Sequence, residues 1–390
     1  MLAEVSDLHE FIRDRLAPHF AELARCDSTK ELVAHPLYRK LLPSIETVLS
    51  TLDTGDFRTH TAEAQSSYRF IAWNLERGME VERQIEALRH DPYLSGADVL
   101  LLTELDIGMA RSANRDIPRL LARELGMQYV FAPCYLNLTK GAGAECEAQG
   151  ENQLGLHGNA ILSRYPIENA RAVLFPNGRD KMRGREKRLG SQTAVLAEIR
   201  FPDSSVTATA VHLDAQSTQR HRYEQMRLLL DAIPPEGPAI IGGDWNTSTY
   251  NSSRALHAII GFAIRVLMGV GNVIRNHYLH PYHRFERDLF QLLENRGFDY
   301  RSSNLLGVRT AGFCVADERA NKNLGEWVPA WCFHFIRWAL RNHGGKCPLK
   351  LDWFAARGLR CKNPTVLHAF REERAVPLSD HDPIGIDVVV

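Results

Sequence analysis

Apolar positions recur at helical spacing through the first 65 residues, in Leu8, Phe11, Ile12 and Leu16 and again in Leu41, Leu42, Ile45, Val48 and Leu49, with Pro18 and Pro36 as breaks. This predicts a helical extension over residues 1–65, set apart from the rest of the chain. From Tyr68 the texture changes to short β-branched runs: YRFIAWN, ADVLLLTELD, MQYVFAPCYL, GNAILSRYPI, TAVLAEIRF, SVTATAVHLD, PAIIGGDWN, KLDWFAARG and PIGIDVVV. These read as strands. Residues 79–90, 115–125, 217–232 and 284–296 carry amphipathic helical spacing between them. From 158 to 213 the connections look too short for helical crossovers, so that stretch is expected to pair mostly antiparallel. The fold class is α/β or α+β, with sheets inside and helices outside.

Several of these runs end in polar residues: Asn74 and Glu76, Glu104 and Asp106, His212 and Asp214, Asp244 and Asn246, Asp352, and the group Ser379, Asp380, His381 and Asp382. Any one of these is most simply a solvated strand end or a turn residue. Six in series are harder to explain that way, because a strand that delivers a carboxylate, amide or imidazole at its C-terminal end presents it at the rim of a rigid sheet. Asn, Asp and Glu offer hard oxygen ligands, which suit magnesium or manganese better than zinc. A magnesium site needs only one or two carboxylates beside waters and a substrate phosphate, and the Glu104 carboxylate with the Asn74 amide oxygen would supply the protein ligands. A histidine near a carboxylate suits proton handling during phosphoester hydrolysis.

The segments WNLERG (73–78), LLTELD (101–106), HGNAILSRYPI (157–167), AVHLD (210–214), GGDWNT (242–247), LDWF (351–354) and SDHDPI (379–384) occur in an order that resembles the endonuclease/exonuclease/phosphatase family, which includes DNase I, abasic-site endonucleases, neutral sphingomyelinases and inositol polyphosphate 5-phosphatases. The resemblance covers about residues 68–390. It implies a four-layered, DNase I-like sandwich of two mostly antiparallel sheets flanked by helices, and a divalent-metal-dependent hydrolase of phosphate esters. Magnesium (Mg2+) is the implied cofactor, with manganese (Mn2+) as a substitute. Carried over residue by residue, Asn74 and Glu104 match the metal-binding pair, with Asp380 beside the metal. Asp244 and Asn246 match the pair that orients the attacking water and a phosphate oxygen. His381 matches the catalytic histidine, Asp352 the carboxylate that holds it, and His212 the histidine placed against the scissile phosphate. Asn159 falls in the substrate-side strand. Trp245 and Thr103 stand where many members have phenylalanine and glutamine. The stretch from about 250 to 349 is a divergent insertion within the domain of residues 66–390 and is expected to set substrate choice.

Charge narrows the substrate. Lys+Arg and Asp+Glu are balanced at 47 each, so no global positive field draws the chain to nucleic acid. A phosphorylated small molecule or a lipid headgroup is the favoured substrate, a nuclease the alternative, and a non-catalytic binding module on the same fold the rival from another class. That rival is disfavoured, because Glu104, Asp244, Asn246 and His381 are all present. The basic run RDKMRGREKR (179–188) is either a solvated loop or a phosphate-binding one, with Arg183, Arg185 and Arg188 as its contacts. The acidic N-terminus lacks the signature of an export signal, and the seven scattered cysteines fit neither a disulfide framework nor a zinc ribbon, which makes a cytoplasmic location the default. The apolar stretch 255–274 approaches the length of a membrane span. A single crossing there would put Asp244 and Asp352 on opposite sides of a bilayer, so no transmembrane segment is expected. What remains is a helix packed over the sheet, or an apolar lid that makes peripheral contact with lipid or with an apolar substrate group.

Overall fold

The computed structural model describes residues 5–59, 63–247, 255–316, 331–372 and 376–390. Its strands, in chain order, are β1 (Asp53–Asp56), β2 (Tyr68–Arg77), β3 (Val99–Ile107), β4 (Gln128–Asn137), β5 (Leu156–Ser163), β6 (Ile167–Leu174), β7 (Arg188–Gly190), β8 (Thr193–Phe201), β9 (Ser204–Ala210), β10 (Ala239–Asp244), β11 (Ala311–Cys314), β12 (Lys346–Leu349), β13 (Asp352–Arg357), β14 (Arg360–Val366) and β15 (Ile384–Val389). The larger sheet runs β1-β4-β5-β3-β2-β15-β14, with β7 also paired to β4. The smaller runs β13-β10-β9-β8-β6, and β11 with β12 forms a separate hairpin.

Alternation along the strands builds the layers. In β2, Phe70 and Ala72 face the smaller sheet, where they meet Val195, Ala197, Ala208, Ile240 and Phe354, while Ile71, Trp73 and Leu75 face the helices on the other side. Residues on both faces are buried, which is why the sequence shows continuous apolar runs here rather than alternation. Helices Val81–His90 and Ile117–Leu125 cover the larger sheet, and Gln219–Ala232 and Arg287–Asn295 cover the smaller one. The result is the four-layered sandwich of two sheets flanked by helices. Antiparallel pairing dominates, including β6 with β8 and β8 with β9. The two parallel pairs, β2 with β3 and β9 with β10, are each joined by a crossover helix.

Two expectations need correction. The segment 1–65 is largely helical, but Asp53–Asp56 pairs antiparallel with β4 at the edge of the larger sheet. Leu8, Ile12, Leu16, Phe20, Leu23, Leu32, Ile45 and Val48 are buried in the same apolar cluster as Leu100, Phe131 and Leu136. The segment is therefore a layer of the main body rather than a separate appendage, because its apolar faces have the outer face of that sheet to cover. The second correction concerns 255–274. Helix Ala255–Leu267 leaves Leu256, Ile260, Ile264 and Leu267 exposed instead of burying them on a sheet.

Candidate active site

The C-terminal ends of the two parallel pairs meet where the sheets adjoin, and irregular backbone aims their side chains inward. β2 slips register after Asn74, and Glu76 and Arg77 adopt positive φ. β3 slips between Leu102 and Leu105, with Glu104 at φ 57°. Asn246, just past β10, sits at φ 48°. Such conformations are costly for residues other than glycine, and bulges of this kind re-aim a side chain at a strand end. At Gly243 the need for glycine is steric, because a Cβ there would lie 2.2 Å from the Val211 carbonyl oxygen.

Asp244 is the centre of the constellation. Its Oδ2 accepts from Asn74 Nδ2 and Asn246 Nδ2, each at 3.2 Å, and its Oδ1 accepts from the Asn246 backbone N–H at 2.8 Å. His212 Nε2 lies 3.5 Å and His381 Nε2 3.6 Å from the same Oδ2. His381 Nδ1 meets Asp352 Oδ2 at 2.8 Å, and Asp352 stands opposite Asp244 in the β10–β13 register. The His381 loop is anchored from below: its backbone N–H donates to Ser379 Oγ, and the Ser379 hydroxyl donates to the Asn74 carbonyl at 2.6 Å. Glu104 Oε1 is 3.8 Å from His212 Nε2, and its other oxygen accepts from Arg77 Nη1 at 2.6 Å.

These neighbours divide the protons. Burial, reinforced by the carboxylates of Asp352 and Glu104, pushes the Asp244 carboxyl up to about 7. Burial pulls His212 down to about 4, against the pull of Glu104, so its ring is neutral at pH 7. Burial also opposes the charge on His381, but Asp352 and Asp244 outweigh it and carry His381 well above the ordinary histidine value. Glu104 stays well below the usual carboxylate range, since Arg77 overcomes the cost of burial.

The donor set suits a divalent cation. Glu104, Asn74 and Asp244 bring oxygen donors to one rim, where Asn74 and Asp244 are buried and Glu104 is partly so, and one ligand atom each from Asp244, Asp352 and His381 falls within 4.8 Å of the others. Asp352 Oδ1 is buried with no hydrogen-bond partner, and the Asp244 carboxyl is pushed toward its neutral form. A cation beside such crowded carboxylates would relieve both conditions.

The remaining candidates from the sequence lie at the margin of this rim or outside it. Asp380 is exposed beside His381, and its backbone N–H donates to Glu76 Oε2 at 3.1 Å. The Asn159 side chain is spent on the protein, accepting from the Glu104 backbone N–H and donating to the Thr193 carbonyl. It supports Glu104 from behind rather than facing the rim. Within the basic run, Arg183 is largely exposed near Asp180 and Arg185 is exposed. Arg188 stacks 4.3 Å over Tyr135 and lies 3.3 Å from Glu186. Asp106 and Asp382, which the strand-end pattern included, are buried structural anchors held by Arg111 with His157 and by Arg371 with His368.

Sequence reasoning missed Arg77, Thr310 and Lys181. Arg77 bridges Glu104 and Glu145, from which ion pairs run through Arg111 and Glu186 to Arg188, tying the basic loop to the rim. Thr310 Oγ accepts from the Leu351 and Asp352 backbone N–H groups at 3.0 Å each. Lys181 pairs with Asp214 at 3.0 Å, so this strand-end carboxylate holds the basic loop rather than the rim. Arg77 lies inside WNLERG, but nothing local to that segment marks its partner 27 residues away.

A model of the Endonuclease/Exonuclease/phosphatase family matches residues 71–381. Among solved structures, an endonuclease/exonuclease/phosphatase from Beutenbergia cavernae is similar at 14% identity and TM-score 0.50, over 84% of this chain and 72% of that one. An AP endonuclease from Archaeoglobus fulgidus is similar at 15% identity and TM-score 0.47, over 82% and 98%. A 3' phosphatase, NExo, from Neisseria bound to product DNA hairpin is similar at 15% identity and TM-score 0.46, over 82% and 98%. No curated protein matches the sequence.

Proposed function

The chain belongs to the endonuclease/exonuclease/phosphatase family, whose members are phosphoester hydrolases, and on that premise we propose a Mg2+-dependent phosphoesterase acting on a phosphorylated small molecule or a lipid headgroup. The observation that carries this reading is the convergence of Asn74, Asn246, His212 and His381 on one Asp244 oxygen, with Glu104 beside them. Glu104 and Asn74 would hold the cation, with Asp380 at its margin. When bound, the cation neutralises charge on the phosphate oxygens.

The protein residues then divide the work. Asp244, whose carboxyl is pushed up to about 7, accepts the proton of the attacking water in its ionised form, and Asn246 orients that water. The water oxygen forms the new bond to phosphorus as the bond to the leaving oxygen breaks. His381, kept charged by Asp352, donates to a phosphate oxygen and stabilises its growing charge. The neutral His212 adds a second donor from Nε2. Manganese substitutes for magnesium in this scheme. Exposed Arg183 and Arg185 favour a second reading in which a nucleic-acid strand is the substrate.

The test is a turnover screen with magnesium, with manganese and with chelator, on a generic phosphodiester, a phosphomonoester, a phospholipid and an oligonucleotide. The proposal expects chelator-sensitive hydrolysis with the oligonucleotide the poorest substrate. No turnover of any substrate by the folded, metal-supplied chain sinks it in favour of a binding module, and preference for the oligonucleotide selects the second reading.

A further inference from the structure

Two helices of the 250–349 insertion carry apolar stripes that the fold leaves uncovered. In Ala255–Leu267, the residues Leu256, Ile260, Ile264 and Leu267 lie on one face at 65%, 48%, 51% and 87% exposure. Beginning at Trp331 and continuing through Cys332–Leu340, Trp331, Phe335 and Trp338 form a second stripe, each more than half exposed. Exposed apolar side chains scattered singly are ordinary, but two helical stripes of large ones are not. Their inner sides share a small core, in which Ile336 and Leu340 pack with Val270, Val273, Ile274 and Tyr278.

The charge around the stripes says what covers them. Residues 255–285 and 331–350 contain seven Lys or Arg and no Asp or Glu, within a chain whose charges balance. Arg275, Arg284, Arg337, Arg341 and Lys346 are exposed and have no carboxylate partner among the described residues. Large apolar and indole side chains beside exposed cations are the composition of a helix lying in the headgroup region of an anionic bilayer. A single straight span is not the alternative. Among the described residues no single helix is long and apolar enough to cross, and the helix of 13 residues is about 20 Å long against a hydrocarbon core of about 30 Å. The next segment, Val270–Tyr278, turns by 100° away from it.

The same substructure is fastened to the active-site rim. The Tyr278 carbonyl accepts from the Lys350 backbone N–H, two residues before Asp352. Phe313 and Leu349 of the β11–β12 hairpin pack against the small core, and Ala311 bridges to His381. We propose that the apolar stripes of Ala255–Leu267 and Trp331–Leu340 with their flanking cations are a docking surface for an anionic lipid bilayer, which brings the active site to lipid headgroups. That placement of the substrate rests on the phosphoesterase reading; the docking surface itself does not.

The experiment is co-sedimentation of the full chain with vesicles of phosphatidylcholine alone or with added phosphatidylserine. The wild type should bind the anionic vesicles and lose about tenfold in affinity on neutral vesicles or in molar salt. Ile260→Glu with Ile264→Glu, and separately Trp331→Ala with Trp338→Ala, should weaken anionic binding by about tenfold or more while leaving turnover of a soluble phosphodiester unchanged. Equal binding to both vesicle types, or variants that bind like the wild type, would overturn the proposal. Light scattering without vesicles covers the remaining occupant: a wild-type dimer whose stripe variants are monomers assigns the face to a second copy and also overturns it. Vesicle binding by a chain that hydrolyses nothing sinks the proposed function and leaves this surface standing, and hydrolysis without vesicle binding does the reverse.

Discussion

His381 Nδ1 lies 2.8 Å from Asp352 Oδ2, although 29 residues separate the two in the chain. Thr310 joins their supports, since its hydroxyl accepts from the Asp352 backbone N–H and its carbonyl from that of Asp382. A pair so held should act as one unit. His381→Ala is expected to lower turnover by about a hundredfold or more at every metal concentration, because added cation does not replace a positioned imidazole. Adding Asp352→Ala should cost little beyond that, since residues acting as a unit are non-additive. A double-mutant cycle on kcat checks this, and full additivity would separate the two roles.

Glu104 should behave differently. Glu104→Gln keeps the shape and removes the charge that a hard cation needs, so activity should fall and then partly recover at high magnesium or with manganese. Its partner Arg77 is a matter of stability first. Arg77→Leu would leave Glu104 and Glu145 without the cation that compensates their burial, a loss of roughly 3 kcal/mol. Denaturant titration measures it, and a change below about 1 kcal/mol would show that the remaining arginine, Arg111, suffices.

The pattern of strands was legible because their burial is extreme. In β2, β3 and β5 nearly every side chain is buried, so apolar runs stand out whatever the register. The strands missed are those whose pairing comes from elsewhere. β1 has the composition of a turn, Asp-Thr-Gly-Asp, and is a strand because β4 offers it an edge. β6 and β14 are edge strands with a single buried residue between them, Ile167. In the site, the strand-end residues Asn74, Glu104 and Asp244 converge on one rim, and Asp106 does not. Glu104 and Asp106 would share a face of a regular strand, but the bulge at Glu104 breaks that alternation and leaves Asp106 with Arg111 and His157. No local signal marks a bulge between two such residues.

The N-terminal segment gives a prediction about folding. A chain starting at Ser66 loses the eight buried aliphatic and aromatic side chains from Leu8 to Val48 and the β1 edge pairing, while the outer face of the larger sheet loses part of its cover. Burial of each is worth about 1.5–3 kcal/mol. The shortened chain is expected to be insoluble or to melt at least about 10 °C lower. Thermal unfolding of the two chains decides it, and equal melting points would show that the segment packs without stabilising.

Away from the site, Asp116 makes a prediction about pH. It caps helix Ile117–Leu125 by accepting from the Arg119 backbone N–H, and it lies with His9 and Asp53 in a partly buried cluster. Burial, with the Asp53 charge adding to it, pushes the Asp116 carboxyl up to about 6, while His9 pulls the other way. The native state therefore holds this proton more tightly than the unfolded chain does, and the stability this confers is complete below about pH 4 and lost as the pH rises through 6. At pH 8 the ionised carboxylate costs the protein on the order of 1–2 kcal/mol. Asp116→Asn keeps the cap, since asparagine serves at that position as well as aspartate, and removes the charge. The variant should be more stable than the wild type at pH 8 by about that amount and nearly equal to it at pH 4. Chemical denaturation at the two values measures the difference. A variant less stable at pH 8 would mean that the Asp116 charge is held by His9 or by a bound cation instead of repelled by Asp53.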